Sequence, residues 1–447
     1  MGVLRSSAQS LQDDVLTTDS LFRDIRLKAL VQEALQNNTD LRMASLNITQ
    51  AEALMKSARL TYLPSFALSP SGTLSKMQGA AATKSYTFPL TMAWELSLGG
   101  RQKGEKQMAR ANWMQAQQQV KYQQVLLTAD VCNAYYTLIM LDRQYVLTQQ
   151  SIRNQESSLA AIRAFREVGK MDELAVNQAD AALQETKASL VELALQRSKV
   201  ETSLQLLLGR EVIALDNGTV AQEAARSLPR STWNEAVLFG MDPAQSIHLE
   251  SLASRPDVQS AAAELTAACG NERVALSALY PTLYITADGG WTNNLGEVVN
   301  PAKLLLNMIG SLTQPLFARG TLKAQKKVAV AQREQAELNF EKALLLAGGE
   351  LKDALDECGA ARRKQQSRRQ QVASSQRAWQ NSQDLLAYSQ SVTYLDVLTA
   401  EASFLAAQLQ ESADWLEQQQ AFINLYKALC PCPSSLKPFP YRFVPEL

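Results

Sequence analysis

Residues 86–101 read YTFPLTMAWELSLGGR, and from 86 to 97 they alternate without a slip. Tyr86, Phe88, Leu90, Met92, Trp94 and Leu96 are apolar or aromatic; Thr87, Pro89, Thr91, Ala93, Glu95 and Ser97 are polar or small. A period of two belongs to a strand, whose successive side chains point to opposite faces. Gly99-Gly100 then punctuates the chain, and good helix formers begin at Arg101.

Working outward, Phe66, Leu68 and Leu74 alternate in the same way with Ala67, Ser69, Thr73 and Ser75, which predicts a preceding strand. Two more strands follow about two hundred residues later. Leu283, Ile285 and Trp291 share one face of the first, and Leu306, Met308 and Leu312 share one face of the second, opposite Asn307, Ser311 and Thr313. Polar, glycine-containing loops (Lys76 to Ser85; Thr292 to Lys303) join each pair into a hairpin. Strands of roughly ten residues can cross a bilayer when tilted. Phe66, Leu68, Phe88, Leu90, Met92, Leu306, Met308 and Leu312 then face lipid, and Tyr86, Trp94 and Trp291 suit the interfacial aromatic belts. A soluble sandwich would alternate equally well. Here nothing supplies its second sheet. Four strands cannot close a barrel, which needs about eight, so closure requires several chains, and three give twelve strands.

The second hairpin is a copy of the first. Asn38 to Gly72 lies without a gap over Arg255 to Gly289, with Asp40 on Asp257 and Pro64 on Pro281, an offset of 217. The offset drifts to 220 where Leu96 meets Leu316 and Ala111 meets Ala331, and to 221 where Leu174 meets Leu395 and Ala179 meets Ala400. A period this long is no solenoid repeat; it is a duplicated architecture.

Prolines mark the rest. None lies between Pro89 and Pro229, and none between Pro315 and Pro431. Because proline costs about 3 kcal/mol inside a helix, these tracts read as long helices. Val131, Ala134, Tyr135, Leu138, Leu141 and Tyr145 keep helical spacing on one face. A helix from about Arg101 to Phe165 would be on the order of 100 Å long. Gly169 and the Ser389-Gln390-Ser391 stretch read as turns into return helices that end near Gly209 and Cys430.

Lys and Arg total 44, as do Asp and Glu, so no net field draws in nucleic acid. No run approaches eighteen apolar residues. The five cysteines have no metal-site spacing, and Cys430-Pro-Cys432 reads as an incidental terminal pair. His248 is the only histidine and is accompanied by no nucleophile elbow, phosphate loop or dinucleotide fingerprint. The residues therefore point to no enzyme, no cofactor and no metal site.

The strand-to-helix junction Trp94-Glu95-Leu96-Ser97-Leu98-Gly99-Gly100-Arg101 resembles the W-E-L-D-L-F-G-R signature of TolC-like outer-membrane efflux factors, in particular their lipoprotein branch (NodT/OprM-like). Gln314-Pro315-Leu316-Phe317-Ala318-Arg319-Gly320 is similar to that family's Q-P-L-F-x-x-G. Arg255-Pro256-Asp257-Val258, Tyr280-Pro281 and Tyr394-Leu395-Asp396-Val397-Leu398-Thr399-Ala400 also match in order and spacing. The resemblance implies a mainly α chain with a transmembrane β portion, forming a homotrimer: a twelve-stranded β-barrel on a long periplasmic α-barrel in the Gram-negative outer membrane. The expected order is an N-terminal equatorial segment (1–25), repeat 1 (26–208), an equatorial linker (209–247), repeat 2 (248–430) and a C-terminal equatorial tail (431–447). The implied partners are a periplasmic membrane-fusion adaptor docking at the tips (Val168, Gly169, Lys170, Ser389, Gln390, Ser391), an inner-membrane transporter of the RND type, and outer-membrane lipid.

Two departures bear on this reading. Relatives of the lipoprotein branch begin with an acylated cysteine, whereas this chain begins Met1-Gly2; the expectation is a lipid anchor in the native precursor. Relatives also carry Asp-Ala-Gln near the tip, where this chain has Thr399-Ala400-Glu401. Leu395 aligns with the relatives' apolar constriction and is the gate candidate, with Asp396 or Glu401 supplying the charge. The alternative for each carboxylate is a solvated helix face, and for Leu395 it is interhelical packing. For the whole chain the alternative is a trimeric helical scaffold whose hairpins bind a partner and never conduct.

Overall fold

The computed structural model describes residues 24–75, 83–169, 171–210, 214–216, 219–221, 228, 230–233, 249–292, 304–388 and 393–429. In chain order these form α1 (Ile25–Asn37), α2 (Thr39–Leu60), β1 (Ser65–Leu68), β2 (Ser71–Ser75), β3 (Thr83–Ser97), α3 (Arg101–Glu167) and α4 (Glu173–Leu207). A small ribbon of β4 (Ala214–Asp216) and β5 (Thr219–Ala221) precedes α5 (Pro256–Ser277), β6 (Thr282–Thr292), β7 (Leu304–Thr313), α6 (Thr321–Tyr388) and α7 (Tyr394–Leu429). The long helices span 67 and 68 residues, close to the expected rods.

Both rods start in the same way. Gly100 and Gly320, 220 residues apart, take φ of 78° and 79° immediately before α3 and α6. That left-handed backbone is cheap only for glycine, so the strand-to-helix corner is built twice from the same residue. Burial repeats at the same offset: Val131 and Leu351, Leu138 and Cys358, and Leu141 and Ala361 are all buried.

The chain divides into two compact units, each drawn from both halves of the sequence. One unit comprises Ala44–Gln119 and Asp257–Leu344 and holds the large sheet. Its order is β1-β3-β6-β7, with β2 also on β3, all antiparallel. The first expected strand is thus two pieces. They keep one register against β3, since Leu68 faces Leu90 and Ser71 faces Thr87. The interruption falls at Ser69-Pro70, where Ser69 N–H still donates to Pro89 O at 3.2 Å, while neither Pro70 nor Pro89 has an N–H to give. Together β1 and β2 act as one stave, so the sheet has the four expected. The first loop is shorter than expected, because Thr83, Lys84 and Ser85 already pair with Ser75, Leu74 and Thr73.

On the other side of β3, Pro89 is registered with Gly290, where a Cβ would come within 2.3 Å of Phe88 O. Only glycine fits. The helices of this unit also touch backbone to backbone: a Cβ on Gly104 of α3 would meet Gly270 O of α5 at 2.8 Å.

The other unit comprises Met1–Met43, Val120–Pro256 and Leu345–Leu447. Its main core joins Leu27, Leu30 and Ala34 of α1 to Val131, Tyr135, Leu138 and Ile139 of α3, Leu204 of α4, and Trp415 and Ile423 of α7. The described part of the linker packs here as well. Trp233 lies 4.6 Å from the Trp415 ring, and Arg230 reaches Asp142 at 2.5 Å and Glu201 at 2.8 Å. Asp24 caps α1 through Arg26 N–H and accepts from Tyr135 OH at 2.6 Å and Ser231 Oγ at 2.8 Å. Burial pushes the Asp24 carboxyl up, but these donors outweigh it and hold the group below its ordinary value. The 1–23 and 431–447 segments expected in the same belt lie outside the described residues.

Candidate functional site

The sheet registers decide which residues share a face. Phe66 faces Met92, Leu68 faces Leu90, Met92 faces Ala287, Trp94 faces Ile285, Leu96 faces Leu283, and Leu283 faces Leu312. Side chains of directly opposed residues point the same way. One face therefore carries Phe66, Leu68, Leu74, Tyr86, Phe88, Leu90, Met92, Trp94, Leu96, Leu283, Ile285, Ala287, Met308 and Leu312. The other carries Ser65, Ser71, Thr73, Ser85, Thr87, Thr91, Glu95, Thr282, Thr286, Asp288, Asn307, Ser311 and Thr313, with Tyr284 and Ile309 as large exceptions and Leu305 at a further position of this face, opposite Gly290. Phe66, Leu68, Phe88, Leu90, Met308 and Leu312 are exposed in the single chain. Leu306 pairs with Gly289 and Trp291 with Phe88 at apolar-face positions, while the side chains of Leu306 and Trp291 lie outside the described residues. Tyr86 meets Phe88 edge to face at 6.2 Å, and Trp94 donates its indole N–H to Tyr62 O at 3.0 Å, at the strand end beside the helices.

The junction after β3 is held by charge and amide. Arg101 reaches Glu95 at 3.3 Å and Glu105 at 2.8 Å, and Gln102 donates to Glu95 O at 2.8 Å.

In the other unit, α3 and α4 turn at Val168 and Gly169, the latter with φ of 70°, and both residues are exposed. Arg166 meets Glu173 across the turn at 2.6 Å, and Arg163 lies 3.8 Å from Asp180. Beneath the turn Ile152, Leu159, Ile162, Val176, Ala179 and Leu183 form a core on which Tyr394 and Leu398 of α7 pack. Lys170, Ser389, Gln390 and Ser391 lie outside the described residues.

The first turn of α7 places two of the three gate candidates together. Leu395 is 52% exposed, and Asp396 is exposed beside it. Asp396 is also half of a capping box: Thr393 N–H and Oγ1 donate to its Oδ2 at 2.8 and 2.6 Å, and its own N–H returns to Thr393 Oγ1 at 3.4 Å. The Thr393 hydrogen bonds hold its carboxyl below the usual range, so it is charged at neutral pH. Glu401 is separated from them. Six residues beyond Leu395 and five beyond Asp396, it points to another side of the helix and is 5% exposed. It is neither a solvated carboxylate nor a neighbour of Leu395.

Glu401 lines a cavity of about 230 Å³ between α3, α6 and α7, with Leu147, Ser151, Trp379 and Gln408 among its walls. Glu401 Oε1, Ser151 Oγ and Trp379 Nε1 are all buried without a hydrogen-bond partner. Nothing in the composition of α7 announces this. The signal was in the duplication: Asp180, which matches Glu401 at an offset of 221, faces Arg163, while the residue matching Arg163 at an offset of 220 is Gln383.

The outer membrane efflux protein family profile matches residues 30–210 and 249–430. The chain belongs to the outer membrane efflux protein family. Among relatives of this efflux family, it is 26% identical to the cation efflux system protein CusC of Escherichia coli over 414 residues, covering 92% of this chain and 87% of that protein. It is 27% identical to the toluene efflux pump outer membrane protein TtgF of Pseudomonas putida over 427 residues, covering 94% and 86%. The crystal structure of CusC superposes with a TM-score of 0.79 at 25% identity, covering 92% of this chain and 93% of that one. This efflux protein thus has the fold of the trimeric outer-membrane channels, with α-barrel and β-barrel portions. It is an outer-membrane efflux channel that extends into the periplasm.

Proposed function

We propose that this chain is the passive exit duct of a tripartite efflux system. Three copies close their four staves into a twelve-stranded barrel, apolar face to lipid and polar face to the lumen. An inner-membrane transporter delivers cargo through a periplasmic adaptor that docks at the hairpin ends around Val168, Gly169 and Lys170 and around Ser389, Gln390 and Ser391. The observation that carries this reading is the sorting of apolar from polar residues between the two faces of the sheet, interrupted at Tyr284 and Ile309 and at the positions of Lys84 and Leu305. Such sorting is what a lipid-facing, water-filled barrel requires.

The gate in this reading is Leu395 with Asp396, since both are exposed in the first turn of α7. Three leucines converging would narrow the lumen, and three aspartates beside them would favour cations. Adaptor binding opens the gate by preferring the splayed state. The names of relatives attach cations to one duct and toluene to another, so cargo choice is best assigned to the transporter.

The test is single-channel conductance in planar lipid bilayers. Wild type should show small, cation-leaning conductance that rises in Leu395→Ala and loses cation preference in Asp396→Ala. A folded trimer that never conducts, even in Leu395→Ala, would return the chain to the scaffold alternative. Phe88→Arg should cost roughly 2–4 kcal/mol of membrane assembly if it lies near the midplane. A fully assembled Phe88→Arg trimer would count against the lipid-facing assignment.

A further inference from the structure

The strongest unexplained feature is the Glu401 cavity. Burying a carboxylate without a cation is costly, and ordinarily the group is paired or neutralised. Glu401 is 5% exposed, and its Oε1 has no hydrogen-bond partner. The walls offer polar atoms but no charge: Ser151 and Asn154 from α3, and Gln376 and Trp379 from α6. Trp379 also stacks on Phe404 of α7 at 5.5 Å, which closes one side.

Among the described residues, no charged group of the neighbouring helices lines the cavity with Glu401. On α3, Glu156 meets Lys187 at 2.8 Å and Arg163 faces Asp180. On α6, Arg377 turns its Nε to Ala373 O at 3.2 Å. On α7 itself, Tyr394 is the titratable group that feels the Glu401 charge. Thr148 Oγ1 and Gln155 Oε1 lie on the same face of α3 as Ser151 and are likewise buried without partners, so the polar seam runs beyond the cavity. The cavity is polar and roomy enough to take up further water once a charge draws it in.

We propose that Glu401 is a proton-operated latch on the helical hairpin end. With Glu401 protonated, α3, α6 and α7 pack closed over the cavity. With Glu401 ionised, water is drawn into the seam, the packing loosens and the hairpin end is released toward its open arrangement. The first copy serves as an internal control: its matching carboxylate, Asp180, has a cation within reach and is half exposed, so it has no comparable penalty to relieve.

The direction follows from linkage. Burial pushes the Glu401 carboxyl from about 4.5 up to about 7 in the packed state. The packed state thus binds the proton more tightly than a hydrated one. Packing is fully favoured below pH about 4.5, weakens as pH rises toward about 7, and is constant above that. Within that window each pH unit shifts the packed-to-loosened ratio up to tenfold per protomer.

This inference rests on the hairpin ends being the gate, and the experiment separates the two ideas. Conductance of the reconstituted full-length trimer is recorded from pH 5 to pH 8 for wild type, Glu401→Gln, Glu401→Leu and Leu395→Ala. Wild-type open probability should rise several-fold with a midpoint near pH 7, while Glu401→Gln and Glu401→Leu stay flat at the acidic wild-type level. The two replacements differ in polarity, so a folding defect in one leaves the other to report. Should Glu401→Gln keep the wild-type pH profile while Leu395→Ala still raises conductance, the latch is wrong and the gate stands. Should neither variant alter conductance, both fail.

Discussion

The two long helices are copies of one another, and they are held in place by different physics. Along α3 the buried positions carry Val125, Val131, Tyr135, Tyr136, Leu138, Ile139 and Ile162. Along α6 the described buried positions carry Ala329, Ala336, Ala347, Ala354 and Ala361, with Leu351, Cys358 and the polar Gln365 larger. At matched positions Leu138 becomes Cys358 and Leu141 becomes Ala361. What α6 lacks in apolar burial it makes up in polar ties to its neighbours. Arg368 reaches Asp414 at 2.6 Å, Lys364 bridges Asp414 and Glu417, and Asn424 donates to Glu357 at 3.0 Å. Arg255, itself 1% exposed, joins Glu350 at 2.6 Å and Ala428 O at 2.9 Å. Duplication supplied two matching rods; divergence gave the first a large apolar core beside its ion pairs and left the second leaning more on charge. At the buried ties of Asp414 and Arg255, losing one partner strands a charge, whereas in the packed core losing a side chain opens a cavity.

The sharpest way to break this comparison is to truncate matched buried positions. Leu138→Ala should destabilise the protein by about 2–5 kcal/mol, and Cys358→Ala by about 1 kcal/mol or less, measured by denaturant unfolding in detergent. Equal losses would mean that the helices are anchored alike.

Next in size is Asp414→Ala, expected to cost about 1–3 kcal/mol because it strands Arg368 without its acceptor. The same pair gives α6 a pH dependence. Burial raises the Asp414 carboxyl, but Arg368, Gln410 and Lys364 outweigh it and hold the group below the ordinary value of 3.8. A depressed carboxylate contributes stability that is full above that ordinary value and is lost as pH falls through the folded one. Wild type and Asp414→Asn should therefore differ at pH 7 and converge as pH drops below about 3.8; an unchanged gap at acid pH would contradict the assignment.

The smallest effect separates fold from assembly. Leu345 on α6 is 78% exposed in the single chain, so Leu345→Ala should change its unfolding by less than about 0.5 kcal/mol. If α6 meets a neighbouring copy through this residue, the trimer should dissociate at lower detergent concentration, read by size-exclusion chromatography.

The strands, the face each of their residues takes and both rods could be read from local pattern, because a period of two and the absence of proline act residue by residue. Duplication extended each reading to its copy, and the shared corner at Gly100 and Gly320 follows from it. Pro70 and Pro89 could also have announced the break in the first stave, had their lost donors been set opposite one another. That step needs the register.

The character of a carboxylate was not local. Asp396 and Glu401 stand five residues apart on one helix; the first is a solvated capping residue and the second is buried against a cavity. Their sequence context is similar, and the difference is made by α3 and α6 folding across one side of α7. The sequence by itself determined the architecture, through periodicity, punctuation and repetition acting along the chain. Only the tertiary structure decided which charges are exposed, paired or stranded, because desolvation depends on what packs against a group from distant parts of the chain.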